Sequence, residues 1–182
     1  MRKLLMVVLV LAFACTSAFA FGPVANNMTN TFDSSVVSVV TSANQANGIW
    51  TWEYLVTPGV GSTDITMFRL NLGQSIANSI ISVANPINNA TSALVPDWYN
   101  FGLGSGYLTW SDLNADNPIV AGSTYKFAFD TRFGPASEIF GSALGEKGYT
   151  GNVAGPAVPE PGSLLALASC VAASLGFLRI KK

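Results

Sequence analysis

The sequence contains no histidine and few charged residues. Of its 182 residues, 9 are Lys or Arg and 10 are Asp or Glu, together 10% of the chain, while 49% are hydrophobic. Without histidine the chain cannot form a Ser-His-Asp or Cys-His catalytic site, a histidine-ligated zinc site or a histidine general base. These classes of enzyme and metalloprotein are therefore excluded.

Cysteine is nearly absent as well. The two cysteines, Cys15 and Cys170, both lie in apolar segments near the ends of the chain. If the first segment is removed during export and the second lies in a membrane, the exported part has no thiol. We therefore expect neither a disulfide framework nor a thiol nucleophile, and we predict no cofactor.

The middle of the chain, residues 21–158, is polar and acidic. It holds four basic and nine acidic residues, which gives a net formal charge of −5. Binding to nucleic acid depends on basic residues that displace counterions from the phosphates, so we predict that nucleic acid is not a partner. The length of this segment suits one domain with its own core.

Residues 1–20 have the three parts of a secretory signal peptide. Two basic residues precede an apolar run, and two small residues follow it: Arg2 and Lys3, then 4–14, then Ala18 and Ala20. We predict that signal peptidase cleaves after Ala20. The alternative, lipidation at Cys15, is disfavoured because Phe13 places a bulky ring beside that cleavage site.

Residues 158–182 have the pattern of a membrane anchor behind a rigid motif. Pro159, Glu160 and Pro161 precede the uncharged run 162–178, and three basic residues follow it: Arg179, Lys181 and Lys182. A helix over that run would be about 26 Å long, just under the ~30 Å core of a bilayer. Basic residues favour the cytoplasmic side, so they act as a stop and orientation signal, and the segment before the helix is expected to be exported.

This order of parts resembles the PEP-CTERM sorting signal that exosortases recognise. The resemblance covers residues 158–182, although Ile180 interrupts the basic tail. It implies that the protein is held transiently in the inner membrane, is processed by exosortase near Pro159-Glu160-Pro161, and then reaches the cell surface or extracellular matrix. The implied partners are exosortase, signal peptidase and inner-membrane lipid. The alternative is a plain C-terminal membrane anchor.

Short segments with alternating polar and apolar residues, separated by turn residues, predict β-strands in the middle of the chain. The predicted strands are 36–41, 49–57, 66–72, 79–83, 98–101, 107–110 and 124–130. We therefore predict an all-β fold, an antiparallel β-sandwich of about seven or eight short strands, for residues 21–140. Residues 141–157 are rich in glycine and are predicted to form a loop and a linker to the anchor.

The alternation also predicts which side chains lie in the core. These are Trp50, Trp52, Tyr54 and Val56 in the first of the three clearest strands, Phe68, Leu70 and Leu72 in the second, and Tyr125, Phe127 and Phe129 in the third.

Asp112, Asn114 and Asp116 occupy positions 1, 3 and 5 of a possible calcium loop, where oxygen ligands are required. Position 6 is Asn117 where the turn needs glycine, and position 12 is Ser123 where a bidentate glutamate is usual. A hydrogen-bonded turn between two strands is therefore the favoured interpretation, and no metal site is predicted.

The aromatic residues allow two interpretations. Six of them could form a platform that stacks on sugar rings or faces ice: Trp50, Trp52, Trp98, Trp110, Tyr99 and Tyr107. Their alternation with polar residues favours burial in the core. Acidic residues are present for a glycosidase, but no pair of them forms a recognisable motif.

We expect an exported, non-catalytic protein with a structural or adhesive role at the cell surface or in a biofilm matrix. The alternatives are a module that binds extracellular polysaccharide or ice on the same anchor and, less favoured, a surface hydrolase that uses only carboxylates.

Overall fold

Polar and apolar residues alternate along much of the middle of the chain, and strands form there. The computed structural model describes residues 20–157. Its strands are β1 (Ala20–Thr29), β2 (Val36–Ala46), β3 (Ile49–Pro58), β4 (Ile65–Asn71), β5 (Ile80–Val83), β6 (Ile87–Asn88), β7 (Ala93–Leu94), β8 (Trp98–Phe101), β9 (Tyr107–Asp112), β10 (Tyr125–Thr131), β11 (Pro135–Gly145) and β12 (Gly148–Pro156). A short helix, α1 (Gly73–Ala77), follows β4, and a 3-10 turn (Leu103–Ser105) follows β8.

All twelve strands belong to one antiparallel sheet. The order across the sheet is β7-β6-β10-β3-β2-β1-β12-β11-β4-β9-β8, and β5 pairs with β10 beside β6. The hairpin of β2 and β3 has a long, unbroken register from Val37 opposite Pro58 to Ala46 opposite Ile49. The strands β1 and β12 join the two halves of the sheet.

The sheet curls so that strands far apart in its order pack against each other. Phe127 on β10 lies 5.1 Å from Phe68 on β4 and 5.3 Å from Trp110 on β9, measured between ring centroids. Tyr54 on β3 lies 5.9 Å from Phe68. All four side chains are fully buried, so an aromatic core fills the space between β3 and β10 on one side and β4 and β9 on the other.

The all-β, antiparallel fold predicted from the sequence is confirmed. Each of the seven predicted strands coincides with a strand of the structure within a few residues, except that β2 extends five residues further, to Ala46. Of the ten predicted core residues, nine are buried and Trp50 is half-buried. The number of strands is higher than predicted, because β1, β11, β12 and the two-residue strands β6 and β7 lack a clear aromatic or β-branched alternation.

The prediction of a linker over residues 141–157 is wrong. This segment supplies the end of β11 and all of β12, which pair with each other from Pro135 opposite Pro156 to Leu144 opposite Gly148. Its glycines permit close packing: a Cβ atom at Gly151 would lie 2.8 Å from the backbone oxygen of Asn27 on β1. Glycine therefore marks close approach of strands here and not a flexible connection.

The predicted end segments fall almost entirely outside the described residues. Ala18 and the sorting residues Pro159, Glu160, Pro161, Arg179, Lys181 and Lys182 are among the residues not described, and so is the predicted transmembrane run 162–178. Ala20 is described and is the exposed first residue of β1. Within residues 20–157, no helix has the length and apolar character needed to cross a membrane.

Candidate binding face

The four tryptophans that were candidates for an aromatic platform lie in the core or pack against it. Trp52, Trp98 and Trp110 are at most 3% exposed, and Trp50 is half-buried. Each buried indole N–H donates a hydrogen bond to a backbone carbonyl: to Phe133 at 3.2 Å, Asn117 at 2.8 Å and Ala84 at 3.1 Å, respectively. The favoured interpretation, that these rings fill the core, is confirmed, and the tryptophans do not form a surface platform.

The two tyrosines of that group lie on the surface instead. Tyr99 on β8 is 53% exposed, and Tyr107 at the start of β9 is 38% exposed. Phe101, which the sequence analysis did not single out, is 44% exposed and follows Tyr99 on the same side of β8. Three aromatic rings therefore remain accessible on the edge strand β8 and its neighbour β9.

Strand register places these rings on the outer side of four neighbouring strands, β8, β9, β4 and β11. Directly opposite residues of an antiparallel pair project on the same side of the sheet. We call this surface the aromatic face, and it consists of Tyr99, Phe101, Tyr107, Thr109, Ser111, Met67, Arg69, Asn71, Phe140, Ser142 and Leu144. With strands ~4.8 Å apart and same-side residues ~6.8 Å apart along each strand, it measures about 14 Å in each direction.

Arg69 lies in the middle of the aromatic face, between Thr109 on β9 and Ser142 on β11. Its Nε donates a hydrogen bond to Thr109 Oγ1 at 3.1 Å, and its guanidinium carbon lies 5.6 Å from the centre of the Tyr107 ring. A guanidinium over an aromatic ring is attracted to the electron-rich face of that ring. These contacts hold the arginine side chain down along the sheet.

The aromatic face is well packed at its centre. Thr109 and Ser111 project outward, yet they are 1% and 5% exposed. Thr109 lies between Arg69 and Phe101, and Ser111 lies between Met67 and Tyr99. The larger neighbouring side chains therefore cover Thr109 and Ser111. Arg69 is the only charged residue of the aromatic face.

Arg69 differs from the lysines in having no carboxylate partner. Among the described residues, Lys126 pairs with Glu53 at 3.0 Å, and Lys147 pairs with Asp33. The hydrogen bond from Lys147 holds the pKa of Asp33 well below its usual range. Among residues 20–157, Arg69 forms no ion pair, so no carboxylate on a neighbouring strand neutralises its charge.

The loop that follows β9 contains the residues of the possible calcium site. Asp112 is 3% exposed, and its Oδ2 accepts a hydrogen bond from the Asn117 N–H at 2.8 Å. Asn114 and Asp116 are exposed. Burial and, to a lesser extent, the charge of Asp112 raise the pKa of Tyr125. The predicted hydrogen-bonded turn is present, with Asp112 as its acceptor.

We expect removal of divalent cations to leave the thermal stability of the protein unchanged. Asp112 Oδ2 already bonds to the backbone of its own loop, Asn114 and Asp116 are exposed, and no cluster of three acidic residues is present among the described residues to hold an ion at the buried Asp112 Oδ1. The melting temperature should therefore be the same with EDTA and with added calcium. A drop of several degrees with EDTA would show that a bound ion stabilises the folded state.

A cleft of about 600 Å³ lies at one end of the sheet and includes two carboxylates, Asp64 and Glu146, in its lining. This is the feature that the hydrolase alternative would need. The remaining lining residues are two threonines and three small apolar residues, and none is aromatic: Thr63, Thr66, Ala115, Pro118 and Gly145. Rings on which a sugar could stack are found on the aromatic face and not in this cleft.

No protein-family model, curated protein or solved structure matches the chain. The candidate site is therefore defined by its own geometry.

Proposed function

We propose that this is an exported protein, processed by exosortase, that has a structural or adhesive role at the cell surface or in the extracellular matrix and no catalytic activity. The observation that carries the proposal is the order of parts around the domain. A signal-peptide pattern precedes β1, and the motif Pro159-Glu160-Pro161 with an apolar run and a basic tail follows β12. The strands of the described residues begin at Ala20 and end at Pro156, so the sheet accounts for the segment between the two sorting patterns.

The positions of the first and last described residues support this arrangement. Phe21 packs on Trp52, with 6.0 Å between ring centroids, and the Trp52 indole bonds to Phe133. The Ala157 N–H donates to the carbonyl of the adjacent Gly134 at 3.1 Å. The first and last strands therefore reach the same end of the domain, so a domain held at that end would keep its other surfaces free.

We further propose that the curled sheet is a β-sandwich in the sense expected from the sequence. Its two layers would be the halves on either side of the junction between β1 and β12. The packing of Phe127 on Phe68 and Trp110 supports this description, because these rings come from opposite halves. Each of these layers would have an outer face exposed to solvent. An adhesive role requires an exposed surface of this kind.

The sorting proposal predicts that the Pro-Glu-Pro motif is needed for processing and not for anchoring. Replacing Pro159, Glu160 and Pro161 with alanine leaves the apolar run and the basic residues intact. We expect a full-length protein that still fractionates with the inner membrane but is neither shortened nor released. An immunoblot of membrane and supernatant fractions, in a host with and without its exosortase, measures this.

The matched control replaces Arg179, Lys181 and Lys182 with glutamine. This change removes the orientation signal, so we expect loss of stable membrane topology with the motif intact. If the alanine variant were released normally, or if deleting exosortase had no effect, the tail would be an ordinary membrane anchor.

A second candidate function is binding of extracellular polysaccharide. The aromatic face favours it, because Tyr99, Phe101 and Tyr107 are accessible on one side of neighbouring strands. Aromatic rings combine a large apolar area with few rotatable bonds, and they pack well on the C–H groups of sugar rings. The charge of Arg69 at its centre favours a polysaccharide over ice among the two ligands expected from the sequence.

A further inference from the structure

We propose that the aromatic face binds an anionic polysaccharide, a polymer whose sugar rings carry carboxylates, with Arg69 as the residue that contacts the carboxylate. This inference rests on the proposed polysaccharide-binding function and specifies its ligand class.

The aromatic rings provide the apolar part of such a site. Tyr99 and Phe101 lie two residues apart on β8, about 6.8 Å along the strand. Tyr107 lies diagonally across on β9, because Thr109 is the residue opposite Phe101. The three rings therefore lie in three successive rows of the sheet, and a chain of sugar rings laid along β8 and β9 would contact more than one of them.

Arg69 provides the charged part. A guanidinium has five N–H donors, and only its Nε makes a hydrogen bond to an oxygen of the described residues, that of Thr109. Its Nη2 contacts the Met67 sulfur at 3.8 Å, which is a weak acceptor. The terminal nitrogens thus retain donors for a carboxylate, and arginine can bind a carboxylate through two parallel hydrogen bonds.

The charge around Arg69 decides which ligand fits. The described residues carry a net formal charge of −5, so anions are repelled by most of the surface. The aromatic face as defined contains no carboxylate. Acidic residues flank it at both ends of β11: Glu138, two residues before Phe140, accepts a hydrogen bond from Asn152 at 3.3 Å, and the exposed Glu146 lies two residues after Leu144. Arg69 is the only basic residue of β4, β8, β9 and β11, so it is the point on this layer at which a carboxylate is attracted.

The test compares two forms of one polymer, polygalacturonate and its methyl ester, which differ in whether the carboxylates are charged. The full chain is purified in detergent, and binding is measured by isothermal titration calorimetry. We expect the protein to bind polygalacturonate more tightly than the ester. R69Q should weaken binding of polygalacturonate by about tenfold, as expected for loss of a charged hydrogen bond, and should leave binding of the ester unchanged.

Two further variants separate the roles of charge and rings. Y99A should weaken binding of both polymers, because stacking does not depend on the carboxylate and the ring that contacts Arg69 is that of Tyr107. The matched controls are R132Q, which removes an exposed arginine at the end of β10, and F32A, which removes a ring that is 96% exposed in another loop. Both should bind like the unaltered protein. If R69Q were unstable, salt would serve in its place: raising ionic strength should weaken binding of polygalacturonate and not of the ester.

Three results would contradict different parts of the proposal. Equal, salt-independent binding of both polymers would overturn the anionic specificity but leave polysaccharide binding intact. Failure to bind either polymer would overturn the binding function as well, whereas the export proposal depends on the fractionation experiment. If light scattering showed a dimer that F101A dissociates, and neither polymer bound, the aromatic face would be a contact between two copies of the chain.

Discussion

Replacing Phe127 with alanine is expected to lower the free energy of unfolding by about 3 to 5 kcal/mol, the range for truncating a large buried aromatic residue. Phe127 is fully buried on β10 and packs within 5.3 Å of Phe68, Trp98 and Trp110 between ring centroids. Phe127 lies in one half of the curled sheet and its three partners lie in the other. The cavity left by the substitution would therefore lie where the two halves meet. Chemical denaturation followed by tryptophan fluorescence measures the loss.

The control for this variant is Tyr99→Ala on the aromatic face. Tyr99 is 53% exposed, and changes at such positions usually alter stability by no more than about 0.5 kcal/mol. A large loss with Tyr99→Ala, or a small one with Phe127→Ala, would contradict the division of the aromatic residues into a buried core and an exposed face.

Replacing Gly145 with alanine is expected to lower the free energy of unfolding by about 3 kcal/mol, because overpacking against a fixed backbone costs at the upper end of the usual range. A Cβ atom at Gly145 would overlap the backbone carbonyl oxygen of Asp64, just before β4. Gly145 pairs with Ile65, so neither strand can move away without breaking the pairing of β11 with β4.

Gly148→Ala is the matched control in the same hairpin. A Cβ atom there would meet only the Leu144 side chain, at an ordinary contact distance of 3.4 Å. We expect little change in stability, by the same denaturation measurement. If both alanine variants were equally stable, residues 141–157 would behave as the unpaired linker that the sequence predicted, and the paired strands β11 and β12 would be contradicted.

The fold was predictable from the sequence where large side chains alternate with polar ones. In β3, β4 and β10 the aromatic and aliphatic residues mark the buried side directly, and their strands were predicted almost to the residue. In β11 the inward positions include small residues: Gly141, which packs closely on Met28 of β1 and Val153 of β12, and Ala143, which is fully buried. Small residues give no periodic signal, so the sequence predicted a linker where the end of β11 and all of β12 form.

The candidate site was predictable only in part. Trp98 and Tyr99 are adjacent in a strand, so alternation alone places them on opposite sides of the sheet and separates core from surface. Arg69 is likewise outward because Phe68 and Leu70 are inward. What the sequence could not indicate is that β4 pairs with β9, which brings Arg69 to Tyr107 across almost forty residues. That pairing is non-local and depends on the whole sheet.

The intact mass of the protein recovered from the extracellular matrix or culture supernatant tests the proposed export and processing most directly. We predict a chain that begins at Phe21 and has lost the apolar run and the basic residues, 162–182, while keeping the strands through Pro156. A released protein that still ends in Lys181 and Lys182, or that still carries the first 20 residues, would contradict it.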